Sequence, residues 1–198
     1  MHTDTTLTDG KKMSHDELKK LHIIHYPDPR LRQISQRVEE FDGQLAALVE
    51  RMFELMQTGD GVGLAAPQIG INKRLFVMNT SGEPHGRQVF VNPTLHDLHG
   101  SAESQEGCLS LPGVNVQVRR ALTCRLTAQD LQGRPVELLL EGLPARVCQH
   151  ETDHLNGVLI IDRMGPGDRI ATRKTLKALE DQYRAGHERR RARSTAAR

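Results

Sequence analysis

Apolar residues along this chain fall into helical and strand repeats whose order predicts an α+β fold. Leu45, Leu48, Val49, Met52, Phe53 and Met56 recur at steps of three and four, which places all six on one face of a helix. Asp42 stands just before them with the short acceptor side chain of a good N-cap, so a helix is predicted to start there and cover a sheet. Residues 75–78 and 88–91 are strand candidates, as are the alternating residues 115–125 and 135–140, joined through the turn-like Asp130-Leu131-Gln132-Gly133. A second helix is predicted from about Pro144, acceptable in a first turn, to Leu155, where Asn156-Gly157 ends it. A short strand over residues 158–161 should follow. Near the start, the apolar residues 21–25 read as a strand or extended entry, stopped by the two prolines of Tyr26-Pro27-Asp28-Pro29. Strands bracketed by segregated helices, without regular βαβ alternation, predict antiparallel strands packed around a central helix.

Composition adds the boundaries. The chain has 198 residues, enough for one core of ordinary size, and its 37% hydrophobic and 26% charged residues fit a folded body with polar ends. The expected division is a polar extension over 1–20, a folded body over 21–164, and a basic segment over 165–198. That last segment holds ten Lys/Arg against four Asp/Glu although the whole chain carries only +2, so the remainder is net acidic. Ile170, Leu176, Leu179 and Tyr183 recur near helical spacing and predict a C-terminal helix docked on the body, loosened at Ala185-Gly186. Ser14-His15-Asp16-Glu17 has the form of a capping box within a segment short enough to be disordered. The first 20 residues contain no apolar run of signal-peptide or membrane-spanning type, which makes the cytoplasm the expected compartment. Three cysteines, at 108, 124 and 148, argue against a disulfide framework.

Chemistry concentrates in the second predicted helix, Gln149-His150-Glu151-Thr152-Asp153-His154-Leu155. Histidines four apart lie one turn apart on one helical face, so both imidazoles can reach one metal ion and the glutamate between them can reach a water beside it. Two solvated histidines would show the same spacing, so a third ligand decides the matter. The extended metalloprotease pattern would place a histidine at position 160, which is Ile160. Downstream, Asp162, Asp168, Glu180, Asp181, His187 and Glu188 lie partly in a polar tail. Upstream, Glu106-Gly107-Cys108-Leu109-Ser110-Leu111-Pro112 sets a cysteine between a glycine and a proline, where a thiolate could complete the set. Burial is the commoner state of a lone cysteine and is assigned to Cys124, which alternates with Leu122 and Leu126, and to Cys148, about 200° around the helix from His150. The small-residue stretch Gly61-Val62-Gly63-Leu64-Ala65-Ala66-Pro67-Gln68-Ile69-Gly70 permits close approach of a ligand or forms a tight loop against the first helix, and Gln68 offers an amide donor.

These three segments resemble, in order and separation, the three motifs of the peptide deformylases, and the resemblance runs from about residue 22 to 164. One departure is Thr152, where the family usually has an apolar residue, on the side of the helix away from the ligands. The resemblance implies a divalent ion held by Cys108, His150 and His154 that activates a water, with Glu151 accepting its proton and delivering it to the departing amine. Gln68 and the Leu109 backbone N–H would meet charge on the formyl oxygen, while Val62, Gly63 and Gly107 would hydrogen-bond the substrate main chain like an added strand. Val147 would wall a methionine pocket, and Asp153 would pair with Arg120 to orient the helix. The family favours Fe2+; the ligands also suit Zn2+ or Ni2+, and iron would expose Cys108 to progressive oxidation in air.

The implied substrates are nascent formyl-Met polypeptides, with ribosome contact through the basic C-terminal segment and no membrane association. Two other readings stand beside this one. An HExxH metalloendopeptidase would use the same helix and glutamate, and a zinc-stabilised binding module would need a closed four-ligand site, which would leave Glu151 without a task.

Overall fold

The computed structural model describes residues 13–196. Its elements run α1 (His15–Lys20), α2 (Gly43–Thr58), β1 (Gly63–Ala65), β2 (Leu75–Met78), β3 (Gln88–His99), β4 (Ala102–Gly107), β5 (Asn115–Arg120), β6 (Thr123–Gln129), β7 (Pro135–Glu141), α3 (Gly142–Leu155), α4 (Ile160–Arg163) and α5 (Pro166–Ala196). The strands form a five-stranded sheet ordered β1-β2-β3-β6-β7 and a separate β4-β5 pair, with every strand pairing antiparallel. The α+β class with antiparallel strands, a central helix and a C-terminal helix is therefore as expected.

Helix α2 begins where its sequence places it. The Asp42 carboxylate accepts from Gln44 N and Leu45 N, two donors that the helix itself cannot satisfy, and all six periodic apolar residues are buried. Strand β2 explains what they are buried against. Its side chains alternate between the two faces of the sheet, so Leu75 and Val77 join Met52 and Val49 on the α2 side. Phe76 and Met78 join Phe90, Val147, Cys148 and Leu155 on the α3 side. A strand apolar at every position thus becomes the middle layer between the two helices, and α3 is held down as part of the core. A third cluster gathers Val116 and Val118 of β5, Ile160 and Ile161 of α4, and Leu179 of α5. The docking of α5 is completed by Asp168, which accepts from Gln117 N at 2.9 Å, and Glu180, which accepts from the Tyr26 hydroxyl at 2.9 Å.

Several elements differ from expectation, each for a local reason. Residues 158–161 do not form a strand. Gly157 turns the chain at φ +71°, Asp162 accepts from Leu159 N at 2.8 Å, and the run closes into the single turn α4 with Ile160 and Ile161 buried. Residues 115–125 are not continuous, because the Gln149 amide takes both the N–H and the C=O of Ala121 and so removes that residue from the ladder; β5 and β6 then belong to different sheets. Strand β3 runs past Asn92-Pro93, which sequence alone makes a stop. Asn92 adopts φ +53° at an irregularity, and its side chain bonds Val38 N and O. Strand β4, Ala-Glu-Ser-Gln-Glu-Gly, carries no apolar alternation and went unpredicted. Helix α5 continues through Ala185-Gly186 without a break. The capping box at Ser14 is formed, with Glu17 N on Ser14 Oγ at 3.2 Å and Ser14 N on Glu17 Oε2 at 2.7 Å, and Leu18 is buried beside α2. Among the described residues no helix is long and apolar enough to cross a membrane.

The layered core gives a direct expectation. Phe76 is fully buried with its ring centroid 5.1 Å from that of Phe90, whereas Leu139 of β7 is 84% exposed. Phe76→Ala should lower the free energy of urea unfolding by about 3–5 kcal/mol, while Leu139→Ala should change it by less than about 0.5 kcal/mol. Similar effects from the two would contradict this assignment of the core.

Candidate metal centre

Helix α3 presents His150 and His154 one turn apart, their ring centroids 5.0 Å from each other. Strand β4 ends at Gly107, and the turn that follows brings Cys108 to the same point, with its Sγ 3.3 Å from His154 Nε2. One donor atom from each of Cys108, His150 and His154 lies within 4.8 Å of the other two. Two imidazoles and a thiol so gathered fit a late first-row divalent ion. A second observation agrees: Glu151 Oε2 is buried at this place without any hydrogen-bond partner, an arrangement that is costly unless something polar stands in front of it.

The segments that carry Cys108, His150 and His154 are tied together by buried charges. Glu106, two residues before Cys108, accepts from Arg120 Nε at 2.7 Å and Nη2 at 2.9 Å, from Arg146 Nη1 at 2.6 Å, and shares a proton with His150 Nδ1 at 3.0 Å. Arg120 also donates to Asp153 Oδ2 at 2.8 Å, and Asp153 receives Arg163 in addition. The expected Asp153–Arg120 pair is therefore present, but it is one link of a larger chain. Sequence reasoning missed the roles of Glu106, Arg146 and Arg163. The signal lay in Glu106, a carboxylate in the motif itself, whose partners are 14 and 40 residues away and leave no local pattern.

These partners set the protonation of the site. Burial alone would raise the Glu106 carboxyl, yet the hydrogen bonds from His150 and Arg120 bring it down to about 2. For His150, burial opposes the cation, but Cys108 and Glu106 hold the proton and move the value up to about 10 in the metal-free protein. Burial, with His150 and Arg120 nearby, lowers His154 well below the usual histidine range. Burial raises Glu151 to about 7 because the charges of His150 and Arg120 only partly offset it. A carboxyl poised near neutrality can both take and give a proton. Cys124 and Cys148 are buried thiols pushed upward by desolvation, and Cys148 contacts Met78 Sδ at 3.7 Å rather than the centre.

The remaining predicted residues line one cavity of about 430 Å³ beside this cluster: Val62, Gly63, Gln68, Gly107, Leu109, Val147 and Glu151. Gln68 is oriented by its neighbour, since its Oε1 accepts from Ala65 N at 2.8 Å and Nε2 is thereby turned toward Ser110 Oγ at 3.3 Å and Cys108 Sγ at 3.6 Å. Gly63 lies on β1, an edge strand of the sheet. A Cβ there would collide with the Glu151 carboxylate and Val147 Cγ1, so only glycine allows α3 to approach β1 this closely.

The sequence model of the polypeptide deformylase family matches residues 20–169. A peptide deformylase of Chromobacterium violaceum is 43% identical over 162 residues, covering 82% of this chain and 97% of the relative. Peptide deformylase 1B of Arabidopsis thaliana, described as chloroplastic/mitochondrial, is 43% identical over 166 residues, covering 82% of this chain and 61% of the relative. Among solved structures, a peptide deformylase from Legionella pneumophila superposes with a TM-score of 0.77 at 42% identity, covering 82% of this chain and 96% of that one. The match takes in the Cys108 turn, the His150–His154 helix and the sheets that carry them, and the chain belongs to the polypeptide deformylase family.

Proposed function

We propose that this protein hydrolyses the formyl group from the N-terminal formyl-methionine of newly made polypeptides, releasing formate, with residues 21–164 as the catalytic body. The observation that carries the reading is the meeting of Cys108, His150 and His154 with a buried Glu151 carboxylate, whose Oε2 has no hydrogen-bond partner, at a cavity bordered by a sheet edge. Cys108, His150 and His154 would hold one divalent ion, Fe2+ in preference to Zn2+ or Ni2+, which when bound supplies a Lewis acid for the formyl oxygen and acidifies a water. Glu151 takes the proton of the attacking water and returns it to the departing amine, two steps that suit a carboxyl whose burial favours its neutral form. Gln68 Nε2 and the Leu109 N–H donate to the formyl oxygen as charge develops there.

Val62, Gly63 at the start of the edge strand β1, and Gly107, which line the cavity, would offer main-chain groups to an extended peptide, with Val147 as a wall of the side-chain pocket. An HExxH endopeptidase would need room for a chain on both sides of the scissile bond. The Cys108 setting and the family of the relatives disfavour it.

The proposed compartment is the cytoplasm, where nascent chains emerge. For residues 165–198 we propose contact with ribosomal RNA, supported by ten Lys/Arg against four Asp/Glu. Removal of residues 184–198 should then leave cleavage of short formyl peptides unchanged while weakening ribosome co-sedimentation, and binding by the intact protein should fall steeply with salt. Co-sedimentation that is absent, or indifferent to truncation and salt, would refute that contact.

Substitutions separate the roles at the centre. Glu151→Gln should retain metal by elemental analysis and lose about 100- to 10,000-fold in formate release from a formyl-Met peptide. Cys108→Ala should lose metal and activity together, whereas Cys124→Ala and Cys148→Ala should keep both. Formate release unaffected by Glu151→Gln, or equal metal in all three cysteine variants, would sink the assignment; cleavage of unformylated peptides instead would favour the endopeptidase.

A further inference from the structure

Ser110 stands two residues after Cys108, is fully buried, and does not line the cavity that Gln68, Cys108 and Leu109 line. A hydroxyl so placed cannot touch a substrate in that cavity. Burying it costs free energy unless it is bonded, and an alanine would fill nearly the same space without that cost. The group that the hydroxyl meets is the Gln68 side-chain amide, whose Nε2 donates to Ser110 Oγ at 3.3 Å.

This bond decides where the rest of the amide points. Gln68 Oε1 accepts from Ala65 N at 2.8 Å, but the last torsion of a glutamine is broad, and one bond at one end leaves the amide free to turn about it. A primary amide carries two N–H donors in fixed relation to each other. With one of them on Ser110 Oγ, the other is directed at the ligand cluster, where Nε2 lies 3.6 Å from Cys108 Sγ. The main chain holds both residues in place for this contact although they are 42 apart in sequence. Ile24 N donates to Gln68 O at 2.8 Å and Tyr26 N to Ser110 O at 2.9 Å, so residues 24–26 bridge the two segments. Removing the hydroxyl would leave an N–H of Gln68 buried without its acceptor, since Gln68 is itself only 2% exposed.

We propose that Ser110 is a positioning residue for the reaction: its hydroxyl holds one N–H of Gln68 so that the other is aimed at the formyl oxygen. The inference rests on the deformylase reading and gives Ser110 no contact with substrate or metal.

The test is a double-substitution cycle on the zinc-loaded full-length protein, read as kcat and KM for formate release from a formyl-Met peptide. Ser110→Ala should lower kcat about tenfold, with KM within about twofold of the parent and zinc content unchanged. Gln68→Ala should lower kcat about 100-fold or more. Adding Ser110→Ala to Gln68→Ala should then change kcat by less than about twofold, because the group through which the serine acts is gone. Apart from turnover, the side-chain amide resonances of Gln68, assigned by their loss in Gln68→Ala, should shift in metal-free Ser110→Ala while those of Gln44 and Gln132 stay in place. Equal losses from Ser110→Ala in the parent and in Gln68→Ala would show that the serine acts on packing, and zinc lost from Ser110→Ala would show that it holds the ligand turn; either result overturns the proposal. A normal kcat in Ser110→Ala overturns the proposal alone, whereas no formate release from the parent protein refutes the deformylase reading and the proposal with it.

Discussion

Glu106 and Arg120 face each other inside the protein, and their partners link the segments that carry Cys108, His150 and His154. Arg120 is 3% exposed at its side chain and Glu106 6%, so neither charge is solvated by water. Removing one partner of such a pair costs about 3–5 kcal/mol, whereas replacing both by apolar groups of equal volume is often nearly neutral. The pair is therefore weak evidence for stability and strong evidence for placement. It ties β5 to β4 just ahead of Cys108, and through Asp153 and His150 it ties both strands to α3. Cys108 and the two histidines lie 42 and more residues apart in the chain, and this network is the polar link between the segments that carry them.

The hydrophobic layers do the complementary task. Strand β2, apolar at every position, receives α2 on one face and α3 on the other, so Val147, Cys148 and Leu155 of α3 are buried in the core. Gly63 lets the helix come close enough for Glu151 to sit against β1. The same closeness withdraws Glu151 from water, which is what raises its carboxyl toward neutrality. Packing geometry thus becomes acid–base chemistry.

What the sequence reveals follows from the range of the interactions involved. Helix α2 was legible from Asp42 and six apolar positions because capping and periodicity are local. The HExxH helix and its Cys108 partner were legible because the residue types are rare and their spacing is chemically constrained. Strand β4 was not, since Ala102 to Gly107 has no apolar alternation and buries only Glu106. The break at Ala121 was hidden because its cause, the Gln149 side chain, lies 28 residues away. Residues 158–161 read as a strand by composition, yet a tertiary setting that buries Leu159, Ile160 and Ile161 together suits one helical turn.

The central claim is that Glu106, which bonds His150 Nδ1 at 3.0 Å, sets the affinity of the proposed metal site. Glu106→Gln keeps the shape and removes the charge, so the fold should survive in circular dichroism. The direct measurement is the zinc dissociation constant of this variant by competition with a chromogenic chelator. The account predicts binding about 10- to 100-fold weaker than in the parent protein, and unchanged affinity in a folded Glu106→Gln protein would contradict it.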